Sequence, residues 1–235
     1  MHQEDDIMRR NCISWILKGI VIICAVTGTV ISALAGKDTF MGGSHVFMFF
    51  TIQSNIAIAL VCLIGAVLLL KKAPAYWYVI KFVFTVSITL TGIVFCFVLA
   101  PTLKGHAWNL QNILTHVIVP IAAVADFFVT GVDADIRKKS VVYVTIPPLL
   151  YAVYAGIGYV AGWEFLKGVH YPYFFLNWGS PAGAFGFVKG LPYMGCVWWI
   201  LAILIFLIAV GLMYLKVLDL EKKRMQKKAA EVKKM

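Results

Sequence analysis

Two polar sets interrupt otherwise apolar stretches of the chain. In FMFFTIQSNIAIAL, residues 47–60, Thr51, Gln53, Ser54 and Asn55 fall within five positions. In NILTHVIVPIAAVADFF, residues 112–128, Asn112, His116 and Pro120 recur every fourth residue. On a helix, positions i, i+3 and i+4 share a face. Thr51, Ser54 and Asn55 therefore face one way and Gln53 roughly the other. Asn112 sits one turn from His116, where it could hold the imidazole. Pro120 has no N–H to offer the His116 carbonyl, so a bend is expected there. The chemistry these residue types support is attack by a hydroxyl. A neutral threonine is a poor nucleophile until a base takes its proton, and histidine is the usual base. An oxyanion then needs hydrogen-bond donors. Asn55 is the first candidate and Asn112 the next, although Asn112 could instead orient the ring as the third member of a triad does. No acidic residue lies at the right depth for that third place.

Each of these residues also has a plainer explanation. A threonine in a membrane helix more often packs or bonds back to its own helix. Gln53, Ser54 and Asn55 could be interhelical hydrogen-bonding groups. An ionisable residue within a span is read first as functional, and for His116 function and a satisfied structural imidazole weigh equally. Asp126, deeper in the same stretch, is expected to pair with a basic residue or reach the interface. Thr85, Thr89 and Gly92 form a weakly polar stripe that packing accounts for. His45, His106, His116 and His170 lack tight metal-ligand spacing, so no metal or cofactor is assigned.

The elements that must position these residues are membrane helices. The 235 residues are 61% hydrophobic and 14% charged, whereas soluble domains carry about 25% charged residues. Runs long enough to cross a bilayer, roughly 20 residues each, fall at about 12–35, 46–70, 77–100, 109–131, 141–161 and 193–216. The expected fold class is all-α: one six-helix transmembrane domain over residues 1–216, followed by a basic tail over 217–235. The first run, preceded by Arg9 and Arg10 and ending at Ala33–Ala35, is longer than a signal-peptide core and is read as a retained helix. Pro147 and Pro148 are expected to bend the fifth span near its start. The cysteines at 12, 24, 62, 96 and 196 form no C-x-x-C and read as small apolar residues.

The net charge of +10 does not point to nucleic acid, because of where it falls. Arg9, Arg10, Lys18, Lys71, Lys72, Lys81, Arg137, Lys138, Lys139 and the tail lie on one side. Lys37, Lys104, Lys167 and Lys189 lie on the other. The positive-inside rule then puts both termini in the cytoplasm, with the tail in water, against anionic lipid headgroups or on a partner. In that orientation Thr51 is roughly 8 Å below the outer end of span two and His116 roughly 10 Å below that of span four. The two could meet if those spans are neighbours. The long fifth loop, residues 162–192, is aromatic and broken by Gly and Pro. It is expected to be an outer lid, interfacial or partly re-entrant, or else an anchor at headgroup level.

FFTIQSN on the second span, NILTHVIVPIAAVADFF on the fourth and YPYFFLNW before the sixth resemble the androgen-induced protein and androgen-dependent TFPI-regulating protein family. The resemblance covers nearly the whole chain in number of spans, order of motifs and topology, and F-T-x-Q-S-N is its most specific part. It implies an integral-membrane threonine hydrolase of fatty acid esters of hydroxy fatty acids, with the family's threonine matching Thr51 and its histidine matching His116. The short loops and lysine-rich tail suggest a bacterial relative in the plasma membrane, whose lipid ester enters sideways between helices. A non-enzymatic membrane protein, binding or transporting a small lipid or solute in the same cavity, is the rival expectation.

Overall fold

The structure is a computed structural model that describes residues 2–35, 43–71, 73–103, 107–131 and 135–232. Lys37, Lys72, Lys104 and His106 lie outside these. Every named element among the described residues is helical. Helix α1 spans His2–Ala35, α2 Phe50–Leu68 and α3 Ala75–Val94. Helices α4 (Leu110–Ile113) and α5 (Val119–Gly131) are joined by a π turn over Leu114–Ile118 and together make one span. Helix α6 spans Ile146–Val160 and α7 Cys196–Val232. Among the described residues, six helical segments are long and apolar enough to cross a membrane: Asp5–Ala35, Phe50–Leu68, Ala75–Thr102, Leu110–Gly131, Lys138–Val160 and Cys196–Lys227. Large apolar side chains such as Ile16, Leu60, Ile121 and Ile205 are exposed on their outer faces, as lipid contact requires. The chain is a polytopic integral membrane protein with an all-α fold.

Helix α5 packs on α1 and α3, and α1 on α2. One apolar core, including Val21, Ile58, Ile88 and Val119, lies among these four helices. A second, with Phe82, Phe127, Leu207 and Tyr214, joins α3 and α5 to α7. A third lies under the fifth loop, where Phe165, Phe175 and Leu176 pack on Phe49 and Tyr151.

Two expectations change, and the tail gains a conformation. Pro147 and Pro148 do not bend a helix that has already begun. A 3-10 segment over Lys138–Thr145 precedes them, and they occupy the start of α6, where a missing N–H costs nothing. The basic tail is a helical continuation of α7 as far as Val232. Lys18 and Lys81 are not loop charges. Both are buried inside the bundle against Asp126.

Candidate functional site

Thr51 stands in the first turn of α2, where backbone N–H groups lack helical partners and the positive end of the helix dipole favours negative charge. It is 9% exposed. Facing it is His116, in the π turn between α4 and α5, 7% exposed. Thr51 Oγ1 is 3.3 Å from His116 Nε2. The second and fourth spans therefore bring the two polar sets together.

The hydrogen bonds fix the imidazole tautomer. His116 Nδ1 is 3.1 Å from the Asn112 carbonyl oxygen, which can only accept. Nδ1 thus carries the proton, leaving the Nε2 lone pair towards the Thr51 hydroxyl. Thr115 Oγ1 donates to the Gln111 carbonyl and lies 3.0 Å from the same Nδ1. Phe95 stacks on the ring, with centroids 3.9 Å apart. A π turn widens the helix, and this one is enclosed by two close approaches. A Cβ on Gly92 of α3 would stand 2.9 Å from the His116 carbonyl oxygen, and one on Gly28 of α1 would stand 2.6 Å from Thr115 Cγ2. Of the stripe on span three, Gly92 is where the histidine turn rests, whereas Thr89 meets the Tyr214 hydroxyl of α7 and Thr85 bonds back to its own helix.

The remaining polar residues brace the site. Asn55 Nδ2 donates to the carbonyls of Thr51 and Thr115, at 2.8 and 3.1 Å, tying α2 to the π turn. Both of its donors are committed, so the expected oxyanion role does not fit it. Its Oδ1 is buried without a hydrogen-bond partner. Ser54 Oγ donates to the Thr51 carbonyl and lies 2.7 Å from Thr91 Oγ1, linking α2 to α3. Gln53 points away, donating to the Phe47 carbonyl. The Asn112 side chain donates to the Ala107 carbonyl. The ring is therefore held by the Asn112 main chain, not by the amide expected to hold it.

Tyr173, in the fifth loop, was not singled out from the sequence. Its hydroxyl lies 3.4 Å from Thr51 Oγ1 and accepts from the Thr51 backbone N–H at 3.3 Å. Burial pushes the Tyr173 phenol above its ordinary value of 10.0, against the pull of the Thr51 side chain and the Thr51 and Phe50 backbone. It is therefore a neutral hydroxyl and a proton donor in the physiological range. Its ring stacks on Phe175 at 5.1 Å and meets Phe49 edge-on at 5.8 Å. The Tyr173 stretch of the loop thus inserts a donor between the helices, while Phe185, Phe187 and Leu191 of the same loop stay exposed. The only sign of it in the sequence was YPYFFLNW itself, because an irregular loop has no period from which a direction can be read.

Thr51, Thr91, Tyr151 and Tyr173 border a largely apolar cavity of about 60 Å³. Across Phe50, Ser54 and Tyr151 lies a larger groove of about 590 Å³ between α2, α3 and α6, bordered by Gln53, Val83 and Ser87. His170 is bonded to the Trp163 carbonyl, and among the described residues no three His, Cys, Asp or Glu side chains are grouped as a metal ion would require. A hydroxyl with a bare ring nitrogen on one side and a phenol on the other, beside apolar space, can perform acyl transfer on an apolar ester or hold such a molecule unchanged. The chain matches no known protein family, no curated protein and no solved structure.

Proposed function

We propose that this integral membrane protein hydrolyses lipid esters, with Thr51 as nucleophile and His116 as base. The observation that carries this is the Nε2 lone pair 3.3 Å from Thr51 Oγ1, with Nδ1 held by a carbonyl. Such contacts tighten when substrate binds. In the first half-reaction Oγ1 attacks the ester carbonyl carbon as its proton passes to Nε2. The oxyanion is met by the Tyr173 hydroxyl and the positive end of α2. Collapse breaks the bond to the leaving oxygen, which takes the proton from Nε2 and departs as the alcohol. Water then attacks the acyl-threonine, again giving a proton to Nε2, and the carboxylic acid leaves with Thr51 restored.

The resemblance of FFTIQSN and NILTHVIVPIAAVADFF to the androgen-induced protein family supports this reading. It also extends it to fatty acid esters of hydroxy fatty acids or similar bacterial lipids as substrates. The distribution of Lys and Arg supports both termini in the cytoplasm and the site in the outer half of the bilayer, and the short loops and lysine-rich tail suggest a bacterial plasma membrane. The helical tail would then lie over anionic headgroups. The larger groove of about 590 Å³, lined mostly by apolar side chains of α2, α3 and α6, has the volume for an acyl chain entering between helices.

The test uses protein purified in detergent, a fluorophosphonate probe and a panel of lipid esters. Wild-type protein is expected to take up the probe and release fatty acid, whereas Thr51→Ala and His116→Ala do neither while melting normally. Turnover by both variants at the wild-type rate would discard the proposal. An ester retained by the wild type without product would instead identify a lipid-binding protein.

A further inference from the structure

At the other end of the bundle is a second polar site that ester hydrolysis does not use. Thr51 and Gly65 lie on the same helix, 14 residues apart, which is roughly 21 Å along its axis. Near Gly65, between α1, α2, α3 and α5, is a cavity of about 190 Å³ whose lining is nearly half polar. A water takes up roughly 30 Å³, so this space holds a group several times larger. Its polar lining includes Arg10, Asn11, Lys18, Lys71 and Lys81, with Trp77 beside them.

Charge within the bundle is unbalanced here. Lys18 and Lys81 are 2% and 5% exposed, and both contact Asp126, which is fully buried, at 2.7 and 2.6 Å. Two ammoniums therefore share one carboxylate, with an excess of one positive charge inside the bundle. The donors of both lysines are committed. Lys18 also donates to Ser14, and Lys81 donates to Thr130 Oγ1 and the Asp126 carbonyl. The stem of Lys18 passes over Gly65, where a Cβ would stand 3.0 Å from its Cε. Towards the mouth the lining gains Arg10 and the exposed Lys71. Asp5 and Asp6 are exposed on the first turns of α1, with Asp6 one helical turn before Arg10 and on the same face.

We propose that this cavity binds a phosphate-bearing anion. Arg10, Lys71 and the Asn11 amide would supply its direct hydrogen bonds, and the Lys18–Asp126–Lys81 group the positive field behind them. Guanidinium and ammonium groups at a helix-end cavity match a phosphate in charge and in donor geometry. Basic pockets between membrane helices are where anionic lipid headgroups dock. The mouth opens at the turn between α2 and α3, where headgroups of the adjoining leaflet lie, so a lipid is the occupant nearest at hand. Free phosphate shares its chemistry. The site is independent of the Thr51 proposal.

The test is a melting-temperature series on the detergent-purified full chain with phosphatidylglycerol, phosphatidylcholine or inorganic phosphate. At a hundredfold excess over Kd, a bound ligand raises the midpoint by about 5–10 °C for a chain of this size. A saturable rise with phosphatidylglycerol alone assigns the lipid. A comparable rise with inorganic phosphate assigns the free anion. Either rise should be mostly lost in Arg10→Gln with Lys71→Gln. It should also weaken in Lys71→Glu, an exposed change that keeps the test open if the double variant does not fold. No rise with either anion, an equal rise with phosphatidylcholine, or an undiminished rise in Lys71→Glu would overturn the proposal.

Discussion

The two ends of the bundle handle buried polarity in opposite ways. At one end Lys18, Lys81 and Asp126 make short, charge-assisted contacts of 2.6–2.9 Å. At the other, Thr51, His116 and Tyr173 meet at 3.3–3.4 Å through groups that are neutral in the assigned tautomer. A buried charge stripped of its partner is expensive, so the Lys18–Asp126–Lys81 group has to be held rigidly behind the cavity it borders. A neutral hydroxyl and ring tolerate longer contacts and keep a lone pair and a proton available. The end with the stronger bonds is thus the scaffold, and the end with the weaker ones is where chemistry can happen.

If that contrast is right, changes at one end cost activity and changes at the other cost stability. The largest effect is expected from His116→Ala or Thr51→Ala, which should lower ester hydrolysis by about 10⁴-fold and leave the melting temperature nearly unchanged. Loss of both together would break the contrast. Next is Asp126→Asn, which leaves two buried ammoniums without a counter-charge. It should cost about 3–5 kcal/mol in unfolding measurements, while protein that does fold keeps its turnover per molecule.

Tyr173→Phe removes the proposed oxyanion donor and should lower kcat by about 10²–10³-fold, with a small change in KM. The same phenol sharpens the pH dependence. Because burial raises its pKa, the donor is present at all lower pH and is lost only as pH rises through that raised value. The wild-type rate should therefore not fall from this cause below about pH 10, and a descending limb near pH 8 that disappears in Tyr173→Phe would contradict the assignment. The smallest effects are on the braces. Gly92→Ala must displace the His116 turn, since its Cβ would meet the carbonyl oxygen at 2.9 Å, and should lower kcat more than stability. Asn55→Ala leaves the Thr51 and Thr115 carbonyls without that donor and should cost about 1–3 kcal/mol, read by denaturant melts alongside turnover.

What the sequence made legible was what periodicity encodes. Lengths of apolar run marked the six spans, and depth along two of them put Thr51 and His116 at one level, where the structure brings them into contact. Side-chain identity did not reveal how those residues are held. Asn55 and Asn112 were read for their amides, but the Asn55 amide braces carbonyls and that of Asn112 turns to Ala107. Lys18 and Lys81 were counted with the loop charges because they lie near the ends of apolar runs. Nothing in a linear pattern says that Asp126, more than 40 residues from either, draws both inward. Tyr173 was hidden for a different reason: its place depends on an irregular loop packing on Phe49 and Tyr151.

The group that steers the His116 ring belongs to the main chain, and this has a genetic consequence. No codon change at position 112 can delete a peptide oxygen, so alanine scanning there would test only the amide bond to Ala107 and miss the contact with the ring. Adding one residue between 112 and 116 would rotate the imidazole away from it while sparing every existing side chain. Length in that short interval, more than its spelling, is what inheritance would have to preserve.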